Sequence, residues 1–275
     1  MNCYKFRMAC LNLKTMKDKL LQIFKIGGNV INNEDVLNSF LKDFSAIEGP
    51  KILIHGGGKK ATEVSSAMGL HPQMINGRRV TDEATVEVVT MVYAGLLNKK
   101  IVAQLQKNNC NAMGLSGVDA NCILAHKRIP KDIDYGFAGD VDAINDTIIG
   151  VLLQNGVTPV FCAITHDKNG QLLNTNADTI ASEIAVGMSK LYKTELNFVF
   201  ELKGVLESID DKNSVITHIN AEKHEQLVAQ GIIADGMIPK IHNCFNALSK
   251  GVSKVKIGDA SLVNNSNKLY TTLSL

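Results

Sequence analysis

The sequence predicts an α/β fold built around a mostly parallel sheet. Three observations carry that reading. Short apolar runs alternate with amphipathic stretches along the 275 residues. Two of the apolar runs end in glycine turns, Gly27-Gly28 and Gly56-Gly57-Gly58. Single glycines recur just past the helical stretches, where a left-handed residue closes a helix.

The elements follow in order. Leu20–Ile26 reads as the first strand, its inward face interrupted by Lys25. Asn33 caps a helix, with Glu34 and Asp35 in its first turn and Val36, Leu37, Phe40, Leu41 and Phe44 at helical spacing. Gly49-Pro50 ends it. Lys51–His55 is the second strand. The glycine turn after it leads into a helix near Lys59–Met68, closed by Gly69. Residues 70–81 read as irregular, with Asn76-Gly77 as a turn. A long helix is expected over 82–107, since Val86, Val89, Tyr93, Leu96 and Leu97 share a face. Asn111–Leu115 is a short strand, and residues 116–142 hold hairpin material. Asp146–Asn155 is a helix stopped by Gly156, Val157–Ile164 a buried strand, and Ala177–Met188 a helix. Leu196–Phe200, Ala221–Gln230, Pro239–Leu248 and Lys254–Ile257 continue the alternation as strand, helix, helix and strand. There is no internal repeat, and a lobe boundary falls near Met188–Thr194.

Composition excludes several function classes. The chain is 45% hydrophobic and 20% charged with net charge +2, an ordinary globular balance. It has no clustered basic run to favour nucleic acid. No apolar stretch approaches the ~20 residues that span a membrane. The cysteines, Cys3, Cys10, Cys110, Cys122, Cys162 and Cys244, form no C-x-x-C pair and no zinc spacing. Their scatter suggests a reducing compartment, with Cys162 a small core residue. Residues 1–19 lack the layout of a signal peptide and are expected to be a poorly ordered leader, with Met16 an alternative start. The other reading of that segment is a short helix docking on a second subunit.

The chemistry lies in lysines and glycines. A buried lysine is costly unless an anion meets it, and a glycine turn lets backbone N–H groups approach that anion. Lys25 has this setting, and a second isolated lysine, Lys240, lies far downstream. Two lysines and two glycine turns suggest an anion-transfer site, most plausibly phosphoryl. The familiar G-x-x-x-x-G-K-[ST] and G-x-G-x-x-G loops are absent, which disfavours P-loop ATPases and dinucleotide oxidoreductases. Asn174, Asn176 and Asp178 open a helix. A cap needs only one of them, so a carboxylate is left over that could hold lysines in place. Arg79 is either a solvated arginine or a fork for a substrate carboxylate. His55, ending a buried strand, reads as packing or hydrogen bonding rather than catalysis.

Five segments occur in a telling order: Ile23–Gly28, Ile54–Gly58, Asn76–Thr81, Asn174–Asp178 and Gly236–Lys240. Together they resemble the amino acid kinase family, and within it the N-acetylglutamate kinases, over roughly residues 20–260. The resemblance implies a three-layer α/β/α sandwich with a mainly parallel central sheet. It implies an N-terminal extension (1–19), an acylglutamate-binding and dimerisation lobe (20–190) and a nucleotide lobe (191–275). It implies transfer of the γ-phosphoryl of ATP, with Mg2+ carried by the nucleotide, to the side-chain carboxylate of an N-acylglutamate in arginine biosynthesis. By resemblance, Lys25 and Lys240 stabilise the transition state and Asp178 orients both. Gly57, Gly58, Arg79, Asn174 and Asn176 hold the substrate. Gly27, Gly28, Glu201, Lys203, Gly204, Ile233 and Gly236 hold the nucleotide. No metal ligands of the protein's own are implied.

Phe200-Glu201 departs from the family, where many relatives carry a hydroxyl residue followed by Asp or Asn. Gly117–Ala120 lacks a lysine and a glycine that relatives often show, and the tail Asn264–Leu275 is unusual. These departures suggest a divergent branch, and some branches use N-succinylated intermediates. The resemblance implies a homodimer, expected in the cytoplasm; some relatives form arginine-inhibited hexamers through an N-terminal helix, which is disfavoured here since Met8, Leu11 and Leu13 make no convincing helical face. The alternatives are another activity of the same family or a catalytically silent sensor on its fold.

Overall fold

A computed structural model describes residues 16–275 apart from 76, 131, 234–236 and 265–268. In chain order the elements are β1 (Leu20–Ile26), α1 (Gly28–Asn32), α2 (Glu34–Ala46), β2 (Lys51–His55), α3 (Gly58–Ala67), β3 (Met74–Ile75), β4 (Arg78–Arg79), α4 (Glu83–Thr90), α5 (Asn98–Lys107), β5 (Ala112–Leu115), β6 (Ile123–Lys127), β7 (Ala138–Ile144), α6 (Asp146–Gln154), β8 (Thr158–Cys162), β9 (Ile164–His166), β10 (Leu172–Thr175), α7 (Ala177–Met188), β11 (Lys193–Val199), β12 (His218–Ile219), α8 (Ala221–Ala229), α9 (Met237–Ser249), β13 (Lys254–Gly258) and β14 (Thr271–Leu273).

Eight strands form one sheet in the order β12-β14-β13-β11-β1-β2-β8-β5. Every neighbouring pair is parallel except β13–β14. Helices cover both faces, which gives the expected α/β/α sandwich. Strands buried on both faces explain the continuous apolar runs of the sequence. α7 lies against β11, β1 and β2 on one face and meets α9, whereas α2 meets α5 on the other. Phe24, Phe40 and Phe44 lock α2 onto β1, with ring centroids 5.6–6.2 Å apart. Each such buried ring stabilises the fold by roughly 1.5–3 kcal/mol. β6, β7, β9 and β10 form a separate small barrel beside the main sheet.

Local chemistry placed most elements well. Asn33 caps α2 by accepting from the N–H of Val36. Gly69, Gly156, Gly231 and Gly251 adopt φ of +78°, +71°, +72° and +104° where helices stop. Several readings need correction. The long helix over 82–107 is present, but Met91–Leu97 winds as a π-helix between α4 and α5. Residues 70–81, read as irregular, contain the two-residue strands β3 and β4; Asn76 of their turn lies outside the described residues. The Val157–Ile164 strand is divided between the main sheet (β8) and the barrel (β9). The short elements α1, β10, β12 and β14 carry too few residues for periodicity to reveal them. Of the leader, residues 1–15 lie outside the described residues, and Met16 is buried.

Candidate active site

The site forms at the carboxyl ends of the central strands, beside the point where the chain's path across the sheet changes direction. Open parallel sheets gather ligands there. β1 runs out at Ile26 between β11 and β2. Side chains alternate along a strand, so Phe24 enters the core under α2 while Lys25 faces α7. Lys25 is 8% exposed. Its Nζ lies 2.7 Å from Asp178 Oδ1, in the first turn of α7. Asn176 sets that turn, its side-chain oxygen accepting from the N–H groups of Asp178 and Thr179 at 2.8 and 3.1 Å.

Lys240 approaches from the start of α9. Its Nζ stands 4.6 Å from the centroid of the Phe200 ring, and Lys25 Nζ is 5.3 Å from the same centroid. Lys240 has no ion-pair partner among the described residues. Asp178 therefore pairs with one of the two lysines, and an aromatic ring stands beside both.

Two cavities meet here. The larger, about 530 Å³, is lined by Gly57, Gly58, Arg79, Asn174 and Asn176. The smaller, about 420 Å³, is lined by Lys25, Gly27, Gly28, Glu201 and Gly204. Asp178, Phe200, Met237, Lys240 and Ile257 line both. The shared wall thus pairs one lysine with one carboxylate, and Lys25 adds the second positive charge from the smaller cavity.

The larger cavity is equipped for a carboxylate. Arg79 is 8% exposed, which excludes the solvated reading. Its Nη2 donates to Gly58 O and Thr62 Oγ1 at 2.9 and 2.8 Å, while Nη1 is buried with no hydrogen bond of good geometry, the Tyr93 hydroxyl being the group that interacts with the guanidinium. A buried guanidinium nitrogen without a well-formed hydrogen bond is costly, and an anion in the cavity would relieve that. Asn174 Nδ2 donates to Thr81 Oγ1 at 3.0 Å. Gly57 allows no side chain, since a Cβ there would come 2.3 Å from Leu97 and 2.9 Å from Tyr93. The first turn of α3 follows, and its N–H groups lack intrahelical acceptors.

Behind this turn His55 is fully buried. Its Nδ1 is 2.8 Å from Gly56 O, and its Nε2 faces Asn98 Nδ2 at 3.1 Å. Burial pushes its pKa down from 6.5 to about 4, so it is neutral at pH 7. It packs and orients the turn, as the sequence suggested. Burial likewise pushes the thiols of Cys162 and Cys244 up to about 12, which leaves them inert.

The smaller cavity collects only part of the expected nucleotide set. Gly27 spends its N–H on Val199 O at 3.1 Å, so it offers close approach rather than a donor. Lys203 turns to Asn213 at 2.7 Å, and Ile233 is in the core; neither lines the cavity. Gly236 lies outside the described residues. Sequence reasoning marked Phe200 only as a departure from the family and did not place Phe200, Tyr93 or Arg128 on the larger cavity, which all three line. Tyr93 could have been found, since a tyrosine on a core helix face needs a partner for its hydroxyl. Arg128 left no comparable signal.

A parallel α/β sandwich with two lysines, a carboxylate and glycine turns between two cavities defines a phosphoryl-transfer type of protein. Residues 21–259 match the model of the amino acid kinase family, and the chain belongs to that family. Among its relatives, an acetylglutamate kinase of Cytophaga hutchinsonii is 53% identical over 92% of this chain and 97% of its own. One from Phocaeicola vulgatus is 51% identical over 90% and 96%. Among solved structures, smu.665 from Streptococcus mutans has a TM-score of 0.73 at 26% identity, covering 92% of this chain and 98% of that one. An N-acetylglutamate synthase from Neisseria gonorrhoeae, at 19% identity and covering 96% and 61%, shares the fold with a TM-score of 0.79.

Proposed function

We propose that this enzyme phosphorylates the side-chain carboxylate of N-acetyl-L-glutamate, using ATP, in arginine biosynthesis. The observation that carries the reading is the pair of lysines where the two cavities meet, Lys25 held by Asp178 at 2.7 Å and Lys240 over the same Phe200 ring as Lys25. The relatives named acetylglutamate kinase support the substrate.

ATP supplies the phosphoryl group; the chain supplies position and charge. The acceptor carboxylate is ionised at pH 7, so no general base is needed. The difficulty is bringing two anions together, which calls for cations and N–H donors. Lys25 and Lys240 sit where charge spreads over the transferring group. Arg79 Nη1 and Asn174 would grip the acylglutamate in the larger cavity. Gly28 and Gly204 would admit the phosphates to the smaller one. Among the described residues no three His, Cys, Asp or Glu side chains come together, and Mg2+ would arrive on the nucleotide's phosphates. The substrate lobe is residues 20–190 and the nucleotide lobe 191–275, joined edge to edge where β1 pairs with β11.

The working form we propose is a cytoplasmic homodimer. Among the described residues the four cysteines are free and buried, which fits a reducing compartment, and exposed Met91, Leu96 and Met113 give apolar surface to cover. Gel filtration should report a mass of two subunits, unchanged by arginine; a monomer or hexamer mass would overturn the dimer. The reaction itself is tested by trapping the acyl phosphate as hydroxamate, with N-acetyl- and N-succinyl-L-glutamate in parallel. Turnover of either confirms a kinase, and the ratio of kcat/KM names the acyl group. No turnover by folded protein overturns the reading.

A further inference from the structure

Phe200 is placed by the sheet rather than by a loop. Its N–H donates to Gly258 O at 2.8 Å, which extends the pairing of β11 with β13 by one residue. Its ring lies parallel to that of Phe198, with centroids 6.0 Å apart and planes within 9°. Gly27 packs alongside, since a Cβ there would lie 3.8 Å from Phe200 Cδ1. The backbone is thus fixed by the sheet, and the ring is held on two sides, by Phe198 and Gly27.

Both site lysines lie over this held ring, at 5.3 and 4.6 Å. Asp178 balances only one of the two positive charges. Lys240, exposed on α9 and without an ion pair among the described residues, has the ring as its anchor. An aromatic face attracts an ammonium through its quadrupole without neutralising it. A carboxylate in the same place would also hold the lysine. It would, however, add negative charge at the point where phosphate oxygens must arrive.

We propose that Phe200 is a positioning residue for phosphoryl transfer: its ring holds Lys240, and secondarily Lys25, by cation–π attraction, and leaves the charge of Lys240 for the transferring group. This rests on the kinase reading above. The ring's electrons, not its bulk, are then what the reaction depends on.

Three kinds of variant separate electrons from bulk. Phe200→Leu keeps an apolar filler and removes the ring. Phe200→Tyr keeps the ring. Replacement of Phe200 by mono-, di- and trifluorinated phenylalanines weakens the quadrupole stepwise at nearly constant shape. With MgATP and N-acetyl-L-glutamate, Phe200→Leu is expected to lower kcat about tenfold or more, with each KM within about threefold. Phe200→Tyr is expected to stay within about threefold of the parent, and log kcat to fall with each added fluorine. A flat fluorine series, or a kcat for Phe200→Leu within about twofold of the parent, overturns the proposal.

A second readout needs no turnover. In ligand-free protein the ε-methylene protons of Lys240, assigned with Lys240→Arg, should be shifted upfield by the ring current. They should return to the ordinary position in Phe200→Leu. If the parent fails to phosphorylate acylglutamates, the functional reading falls while this spectrum still decides the contact. An unshifted Lys240 signal in the parent protein overturns the proposal directly.

Discussion

Two neighbouring strand–turn–helix units face each other across this site and use basic residues in opposite ways. β1 ends in Lys25, Ile26 and a glycine turn; β2 ends in His55 and a glycine turn. The strands pair in parallel with Ile26 opposite His55, so the two basic side chains fall on opposite faces of the sheet. Lys25 faces the smaller cavity with a carboxylate for company. His55 faces inward, neutral, held to Gly56 and Asn98. The glycines differ as well. Gly57 is wedged against Leu97 and Tyr93, whereas the nearest atom to a Cβ at Gly28 would be 3.7 Å away. In the proposed mechanism the first unit puts charge at the transfer point, and the second, apart from Arg79, builds a rigid, uncharged wall for the substrate. One degree of strand alternation decides which unit carries chemistry.

The largest effect should come from the charged unit. Lys25→Ala, and equally Lys240→Ala, is expected to lower kcat at least ~100-fold, since one preorganised donor of this kind is worth roughly 3–4 kcal/mol. Circular dichroism should show the fold intact. A variant with near-normal kcat in the hydroxamate assay would remove the charge from the β1 side of the comparison.

Arg79 belongs to the second unit, because it donates to Gly58 O, yet it is charged. Its Nη1, without a well-formed hydrogen bond, predicts a role in binding rather than in transfer. Arg79→Ala should raise KM for the acylglutamate about 30-fold, corresponding to about 2 kcal/mol for a charged hydrogen bond, and change kcat little. An unchanged KM would show that the second unit holds no substrate carboxylate.

How far the sequence revealed all this depended on the kind of signal. Lys25, Gly27-Gly28 and the second glycine turn stood out because a charge or a run of glycines inside an apolar strand is chemically anomalous. Arg79 was ambiguous, since local sequence cannot say whether β4 lies against α3. The role of Phe200 was not legible, because an aromatic residue at a strand end reads as core. Only the approach of Lys25 from β1 and of Lys240 from α9 turns it into a partner for two lysines. The π-helical turn at Met91–Leu97 was equally hidden, since its apolar spacing satisfied a helix of ordinary pitch. Contacts made across the chain, rather than along it, were what periodicity could not supply.

His55 gives a sharper test of the neutral unit through pH. Its folded pKa is depressed, to about 4 from 6.5, so protonation favours the unfolded chain. Stability is complete above about pH 6.5 and is lost as pH falls toward 4. Between pH 7 and pH 5 the loss from this one group is about 2 kcal/mol. Urea midpoints across that range should fall in the parent and flatten in His55→Gln. An unchanged slope in the variant would mean that the second unit is not held by a neutral histidine.

The smallest effects separate the two glycine turns. Gly57→Ala forces a methyl group into Leu97 and the Tyr93 ring. Leu97 can rotate away, but Tyr93 is fixed by its own burial, so overpacking should cost about 1–2 kcal/mol. Because Arg79 donates to the next carbonyl, the same shift should also raise KM for the acylglutamate. Gly28→Ala meets no such obstacle, and a residue at the first position of α1 loses less entropy than glycine on ordering, so stability should hold or rise slightly. Any defect in Gly28→Ala should appear in KM for ATP alone. Thermal unfolding and the two KM values, measured on both variants, read the contrast directly. If Gly28→Ala is as destabilised as Gly57→Ala, the first turn is as tightly built as the second. The difference between the units would then lie only in their charge.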